Sequence, residues 1–192
     1  YMFYYCTNLE KIDISSFDTQ NVVECDSVFA MCENLASIQF GNFDLQKAKS
    51  LRLTFYGCNS LKELDLHGFK TENIEDMTAL FYGCTQLKTI YVGDDWSVRH
   101  VNSSTSMFYG CKNLTGGKGT AYDSEHVDAE YARVDEEGLP GYFTSFEDSG
   151  IESLLYDGSK QNGYYNVNGV KTIGYPQRKG LYIHNKRKFV VH

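Results

Sequence analysis

Hydrophobic positions recur along the first 114 residues with a period of about 26 residues. Each period opens with a phenylalanine, carries a cysteine three positions later and has a leucine three positions after that. The phenylalanine–cysteine pairs are Phe3 and Cys6, Phe29 and Cys32, Phe55 and Cys58, Phe81 and Cys84, and Phe108 and Cys111. These ten side chains are predicted to form the core of a repeat protein, in which each unit stacks on its neighbours.

Beyond each leucine, apolar and polar residues alternate, as in Ile12-Asp13-Ile14 and Leu64-Asp65-Leu66. A period of two predicts a short strand. The next segment changes to steps of three, as in Ile74, Met77 and Leu80, which predicts a short helix or a tight helical turn. Glycines that would let such helices end are Gly57, Gly83 and Gly110.

A strand and a short helix in every 26 residues predict an α/β repeat fold, a leucine-rich-repeat solenoid with parallel strands on its concave face. We assign residues 1–114 to about five repeats, the first truncated, and residues 115–145 to a C-terminal cap. Residues 146–192 lose the period and predict a small antiparallel β-hairpin module. Its strand and turn signals are Leu154-Leu155-Tyr156, Tyr164-Tyr165-Asn166-Val167, Asn168-Gly169, Leu181-Tyr182-Ile183 and Phe189-Val190-Val191.

The sequence of the repeats resembles that of a known family. The frame Met2-Phe3-Tyr4-Tyr5-Cys6-Thr7-Asn8-Leu9, followed by Ile12-Asp13-Ile14-Ser15-Ser16-Phe17-Asp18-Thr19-Gln20-Asn21-Val22, resembles the 26-residue repeat of BspA-like leucine-rich surface proteins of bacteria. The resemblance covers about residues 1–114 and implies adhesion to host or bacterial surface proteins. Residues 165–191 resemble C-terminal tails of secreted proteins of anaerobic Gram-negative bacteria, which implies either a sorting signal or a stabilising appendage.

These resemblances lead us to expect an exported protein, extracellular or on the outer cell surface. The chain begins at Tyr1 within a repeat and without an initiator methionine, so we expect the leader to belong to a longer precursor. No apolar run of about 18 residues occurs, and the sequence predicts no transmembrane segment.

Charge is distributed unevenly along the chain. Residues 1–145 hold 21 acidic and 11 basic residues, a net charge of −10, whereas residues 146–192 hold 4 acidic and 7 basic residues, a net charge of +3. The two parts sum to the chain's net charge of −7. An acidic repeat region argues against nucleic-acid binding, which depends on lysine and arginine neutralising phosphates.

Chemistry-bearing motifs are scarce. The glycine-rich stretch Gly116–Gly119 is not followed by the helix pattern of a phosphate-binding loop, and we predict no catalytic residues, no cofactor and no enzymatic activity. The periodic cysteines are interpreted as buried free thiols, with disulfides between neighbouring repeats as the alternative. An acidic cluster is interpreted as solvated surface rather than a calcium site, so no metal site is predicted. Its members are Asp123, Glu125, Asp128 and Glu130.

Outward-facing strand residues form the candidate binding site. One row consists of Asp13, Gln39, Asp65 and Tyr91, flanked by Lys11, Glu63 and His67. Varied, large side chains in such a row suit protein or glycan recognition. We therefore predict a non-enzymatic adhesion module that binds a protein through this face, with a carbohydrate-binding module or a structural spacer presenting a neighbouring domain as alternatives.

Overall fold

The structure is a computed structural model that describes residues 1–41 and 43–146 in full and, as backbone only, residues 164–166, 171–172, 180–184 and 187–191. The chain divides into two compact units, Tyr1–Phe146 and Glu147–His192. The predicted strand Leu154-Leu155-Tyr156 and the predicted turn Asn168-Gly169 lie outside the described residues. Among the described residues, no helix is both long enough and apolar enough to cross a membrane.

The first unit contains short parallel strands at the places where apolar and polar residues alternate. Strand β1 pairs with β2 in one sheet, and β3, β4 and β5 form a second sheet in that order. Their bounds are β1 Lys11–Asp13, β2 Ser37–Gln39, β3 Glu63–Leu66, β4 Thr89–Val92 and β5 Phe143–Ser145. The fifth strand comes from the segment that the sequence assigned to a cap, and it extends the sheet beside β4.

The sequence predicted a short helix or a tight helical turn after each strand, and the described repeats contain turns there rather than helices. These segments are turns, and the one helix described in this unit is a single 3-10 turn at Ala129–Tyr131. The physical reason lies in the backbone, because each repeat after the first places two residues at positive φ and thereby interrupts helical geometry. Residues at the first such position are Ser27, Leu53, Ala79 and Ser106, with φ between 52° and 58°. Residues at the second are Tyr5, Met31, Gly57, Gly83 and Gly110, with φ between 60° and 83°.

Equivalent aromatic side chains of successive repeats stack on one another. Centroid distances along the column of five phenylalanines are 5.4, 5.8, 5.7 and 5.5 Å, with the rings within 17° of parallel. Its members are Phe3, Phe29, Phe55, Phe81 and Phe108. All but Phe3 are buried, so this column forms the centre of a continuous apolar core.

Backbone hydrogen bonds join the turn segments of neighbouring repeats, and there each repeat donates to the one that follows it. The N–H groups of Ser27, Phe29 and Met31 donate to carbonyl oxygens of the next repeat at 2.9, 2.9 and 2.7 Å. The same pattern recurs one repeat later from Leu53, Phe55 and Gly57, at 3.0, 3.0 and 2.8 Å. Each repeat therefore needs acceptors from the one that follows it.

Residues 115–146, which we call the terminal segment, supply those acceptors to the last repeat. Ser106 N–H donates to Asp128 Oδ1 at 2.7 Å, Phe108 N–H to the Val127 carbonyl at 2.8 Å, and Gly110 N–H to the Tyr122 hydroxyl at 3.2 Å. Tyr142 and Phe143 are fully buried against Phe108, with ring centroids 5.1 and 5.8 Å away. The terminal segment thus covers the apolar core of the last repeat and also pairs its backbone N–H groups.

The second unit contains a four-stranded antiparallel sheet in the order β7-β6-β8-β9. Its strands are β6 Tyr164–Asn166, β7 Lys171–Thr172, β8 Gly180–His184 and β9 Arg187–Val191. Strands β6, β8 and β9 coincide with three of the predicted strand signals.

Candidate functional site

The predicted row of outward side chains is built by strand register. Asp13 is paired with Gln39 across β1 and β2, and Asp65 is paired with Tyr91 across β3 and β4. Strand β5 adds Thr144 directly beside Tyr91. Strands β2 and β3 are neighbours, but no described strand ladder joins them. We call the outward side chains of β1–β5, together with His67 after β3, the strand face.

Exposure separates the two ends of the strand face. Asp13 and Gln39 are exposed, as are Lys11 and Glu63, whereas Asp65 and Tyr91 are half-buried. The hydroxyl and N–H of Ser15 donate to Asp13, the latter at 2.9 Å, and these bonds lower the pKa of the Asp13 carboxyl. Asp13 therefore presents a fixed negative charge to solvent at neutral pH.

At the other end, Asp65, His67 and Phe146 form a contact chain. His67 Nδ1 lies 2.6 Å from Asp65 Oδ1, and the His67 backbone N–H donates to the same oxygen at 3.1 Å. The Phe146 ring stacks on the imidazole at 4.2 Å, and the Phe146 N–H continues the β4–β5 ladder by donating to the Val92 carbonyl at 2.9 Å. The terminal segment thereby fixes a side chain that belongs to the third repeat.

Tyr91 lies at the centre of the charged part of the strand face. Burial raises the pKa of its hydroxyl, and the negative charges of Glu63 and Asp65 raise it further. The phenol ring is therefore a neutral aromatic surface beside two carboxylates. Sequence reasoning placed these three residues together correctly, but it missed Thr144 and Phe146. Their strand lies about 50 residues beyond β4, and nothing in residues 141–146 marked them as a pairing partner.

The periodic cysteines are free thiols in the structure, and all except Cys6 are buried. Each buried thiol of the column donates to the carbonyl oxygen of the phenylalanine that opens the preceding repeat. The pairs are Cys32 with Phe3 at 3.0 Å, Cys58 with Phe29 at 3.1 Å, Cys84 with Phe55 at 3.1 Å and Cys111 with Phe81 at 3.0 Å. Cys6, predicted to be a core residue, is exposed because no described coil covers that side of the first repeat.

Burial makes the column thiols poor nucleophiles. It raises the pKa of Cys58 and of Cys111 to about 12, and it raises the pKa of Cys84 as well. Because the thiolate is the reactive and metal-binding form, these sulfurs are inert while they stay buried.

The glycine-rich loop is filled from within the chain. The Asp135 carboxylate accepts from the N–H groups of Lys118 and Thr120 at 2.8 and 2.9 Å, from the Thr120 hydroxyl at 2.6 Å and from the Gly141 N–H at 3.3 Å. A Cβ at Gly116 would lie 2.6 Å from Asp135 Oδ2, so only glycine fits there. The loop is a cradle for an internal carboxylate, which occupies the place a phosphate would need.

The acidic residues near the start of the terminal segment each have a separate partner within the chain. Asp128 accepts from the Ser106 N–H, Asp123 caps the following turn through the Glu125 N–H at 3.0 Å, and Glu130 lies 3.6 Å from His126 Nδ1. Within the part of the chain that the structure describes, no three His, Cys, Asp or Glu side chains are grouped to hold a metal ion.

Two further surfaces flank the strands. An open groove of about 350 Å³ lies on the side where the strands begin, and six of its seven lining residues are polar. They are Glu10, Lys11, Asn34, Ser60, Lys62 and Gln86, with Ala36 as the seventh. On the turn side, Tyr56, Tyr82 and Tyr109 stack face to face at 5.1 and 5.0 Å. Because the three rings stack face to face, this second surface exposes mainly the edges of the rings.

Comparison with known protein families gives a match over the repeats. The family model described as "Mycoplasma protein of unknown function, DUF285" matches residues 1–120, which include all five repeats and the start of the terminal segment. No curated protein and no solved structure matches the chain. Since the match spans more than half of the 192 residues, this chain belongs to the DUF285 family.

Proposed function

We propose that this protein is a non-enzymatic adhesion module, exported to the cell surface or secreted, that binds a protein partner through the strand face. We further propose that its repeats form the leucine-rich-repeat solenoid of the BspA-like type, with the terminal segment as its cap. The stacked phenylalanine column and the backbone hydrogen bonds between the turn segments of successive coils support that architecture.

One observation carries the binding proposal. Strand register sets outward side chains of different charge and shape in a continuous row, from Asp65 through Tyr91 to Thr144, with Glu63 exposed beside them. Short parallel strands hold these side chains on a rigid frame, so a partner meets a pre-organised surface and loses little binding energy to ordering it.

A charge reversal on the strand face tests the proposal. We expect binding to immobilised extracellular-matrix or bacterial surface proteins, and we expect Asp65→Arg to abolish it. Glu24→Arg is the matched control, because Glu24 is exposed and lies outside the strands. Equal loss of binding in both variants would show that net charge, rather than this face, mediates binding.

Carbohydrate binding is the second candidate, and the polar groove favours it. A volume of about 350 Å³ is within the range of small-ligand sites, and amide, hydroxyl and charged groups suit the hydroxyls of a sugar. Glycan-array binding that is lost on Tyr91→Ala or Lys62→Ala, but retained on Tyr4→Ala, would favour this candidate. If neither proteins nor glycans bind, the spacer alternative is preferred.

A further inference from the structure

The region around Tyr91 combines an aromatic ring with an excess of negative charge. Glu63 and Asp65 are two residues apart on β3 and point to the same side of the sheet, which separates their Cα atoms by about 7 Å. Tyr91 is the cross-strand neighbour of Asp65. Asp94 and Asp95, both exposed, follow β4 after Gly93.

In the part of the chain that the structure describes, no basic side chain forms an ion pair with Glu63. Lys62 and Lys88 precede β3 and β4 by one residue, where the alternation of the pleat gives their Cβ atoms the direction opposite to that of Glu63. Lys11 lies on β1, which belongs to the other sheet. Asp65 is in contact with His67, so Glu63 is the carboxylate that stands fully toward solvent.

We propose that this part of the strand face binds an extended, arginine-bearing segment of a protein partner, with one guanidinium over the Tyr91 ring and paired with Glu63. The inference rests on the proposed function and specifies the chemistry of its partner. Charge complementarity selects a cation, and the ring selects arginine over lysine. The planar guanidinium both stacks on an aromatic face and donates two parallel hydrogen bonds to one carboxylate.

The geometry also suits an extended segment. Alternate side chains of a strand-like peptide repeat every two residues, about 7 Å, which matches the spacing of Glu63 and Asp65 along β3. A segment with arginine at every second position therefore presents a second cation to the strand face when the first lies on Tyr91.

The test uses the whole chain and a fluorescein-labelled peptide of four Arg-Thr repeats, with Lys-Thr and Glu-Thr peptides as comparisons, measured by fluorescence anisotropy at physiological salt. We expect the arginine peptide to bind, the lysine peptide to bind roughly two- to five-fold more weakly, and the glutamate peptide not to bind. Tyr91→Leu should remove the preference for arginine, whereas Tyr91→Phe, which keeps the ring, should retain it.

Carboxylate substitutions complete the test. Glu63→Gln should weaken arginine-peptide binding by about two- to five-fold, as expected for one exposed ion pair, while Glu24→Gln should leave it unchanged. Equal effects of these two substitutions, or an arginine preference that survives Tyr91→Leu, would overturn the inference. If the peptides fail to bind but Asp65→Arg still abolishes binding to a protein partner, the proposed function stands and the arginine assignment is wrong. Thermal unfolding of each variant verifies that it is folded.

Discussion

At the scale of single residues, the periodic cysteine has a physical role beyond filling space. Each buried thiol of the column shares its acceptor with a backbone N–H group. The Phe29 carbonyl, for example, accepts from the Cys32 N–H of the same repeat at 3.1 Å and from Cys58 Sγ of the next repeat at 3.1 Å. The thiols that bond in this way are those of Cys32, Cys58, Cys84 and Cys111. The thiol supplies a second, weak donor where an alkyl side chain would supply none. The sequence predicted a buried thiol but gave no sign of this bond, because it depends on how closely two repeats approach.

Cys58→Ala should therefore cost more stability than Cys25→Ala. Both sulfurs are buried, but in the described residues only Cys58 donates to a carbonyl. The two substitutions leave similar cavities, so the difference isolates the thiol bond, and we expect about 0.5–1 kcal/mol in the free energy of unfolding. Urea denaturation under reducing conditions measures it. Equal losses would mean that the sulfur serves as a small apolar side chain and nothing more.

Substitution of two buried threonines by valine should change the stability of the protein in opposite directions. The Thr19 hydroxyl is buried and has no partner, whereas the Thr71 hydroxyl donates to the Ser97 carbonyl at 2.8 Å and accepts its N–H at 2.7 Å. Thr19→Val removes an unsatisfied polar group and should stabilise the protein by up to about 1 kcal/mol. Thr71→Val leaves the Ser97 N–H unpaired and should destabilise it by about 1–3 kcal/mol. Thermal denaturation of the two variants checks the signs, and destabilisation by both would contradict the unsatisfied state of Thr19.

At the scale of elements, the sequence predicted the strands but left open whether the segments between them are helices or turns. The alternation in Ile12-Asp13-Ile14 and Leu64-Asp65-Leu66 located β1 and β3, because burial on one face of a strand leaves a period of two in the sequence. The turn segments carry steps of three, which a helix and a tight turn share. The decisive residues are those at positive φ, and Leu53 and Ala79 adopt it at 58° and 52° without any sequence signal. Gly57 and Gly83 do signal it, but the same signal marks the end of a helix.

The glycine-rich loop and Asp135 form an element whose stability should depend on pH. Burial acts to raise the pKa of Asp135, but bonds from the Thr120 hydroxyl and from the N–H groups of Thr120, Lys118 and Gly141 outweigh it, so the pKa is lowered below 3.8. A lowered pKa means that the ionised carboxylate stabilises the folded state. This contribution is fully present above the unfolded-state value near 4 and is lost as pH falls through the folded-state value.

Asp135→Asn should therefore destabilise the protein by about 1.5–3 kcal/mol at pH 7, because an amide loses the charged acceptor of these donors. The difference between the parent and the variant should narrow as the pH falls below about 4. Urea midpoints at pH 7 and near pH 3 measure both effects, with Glu136→Gln as the exposed neighbouring control. A gap that stays constant with pH would show that folding does not shift the pKa of Asp135.

At the scale of the whole molecule, the sequence predicted the row of outward strand residues but not its continuation through Thr144 and Phe146. Asp65 and Tyr91 were placed side by side because one repeat of 26 residues brings equivalent positions into register. The contact of Phe146 with His67 links the third repeat to the terminal segment, and no periodicity relates these two residues. Contacts between unlike elements arise only after packing, so a repeat pattern cannot predict them.

The hydrogen bonds between turn segments leave the first and last described repeats in different environments. The terminal segment covers the last repeat through Asp128, Val127 and Tyr122, whereas the first repeat leaves large apolar side chains in solvent. These side chains are Tyr1, Met2, Tyr4 and Tyr5, between 53% and 77% exposed. In a stack of this kind, stability is close to a sum of nearest-neighbour interfaces. When residues 1–192 are produced alone, the first repeat has one interface and should open before an inner repeat with two.

Thiol labelling can follow this opening along the column. A cysteine-reactive reagent at pH 8 attacks the thiolate, and burial raises the pKa of Cys58 to about 12, so each buried thiol is labelled only when its repeat opens. We expect Cys6 to be labelled first, then Cys32, and later Cys58 and Cys84, resolved by peptide mass spectrometry after timed pulses.

Asp128→Ala should accelerate the labelling of Cys111 alone, since it removes the acceptor of the Ser106 N–H in the last repeat. A single common rate for all buried thiols would instead mean that the unit opens as one cooperative body, in which the interfaces between repeats are too strong to separate.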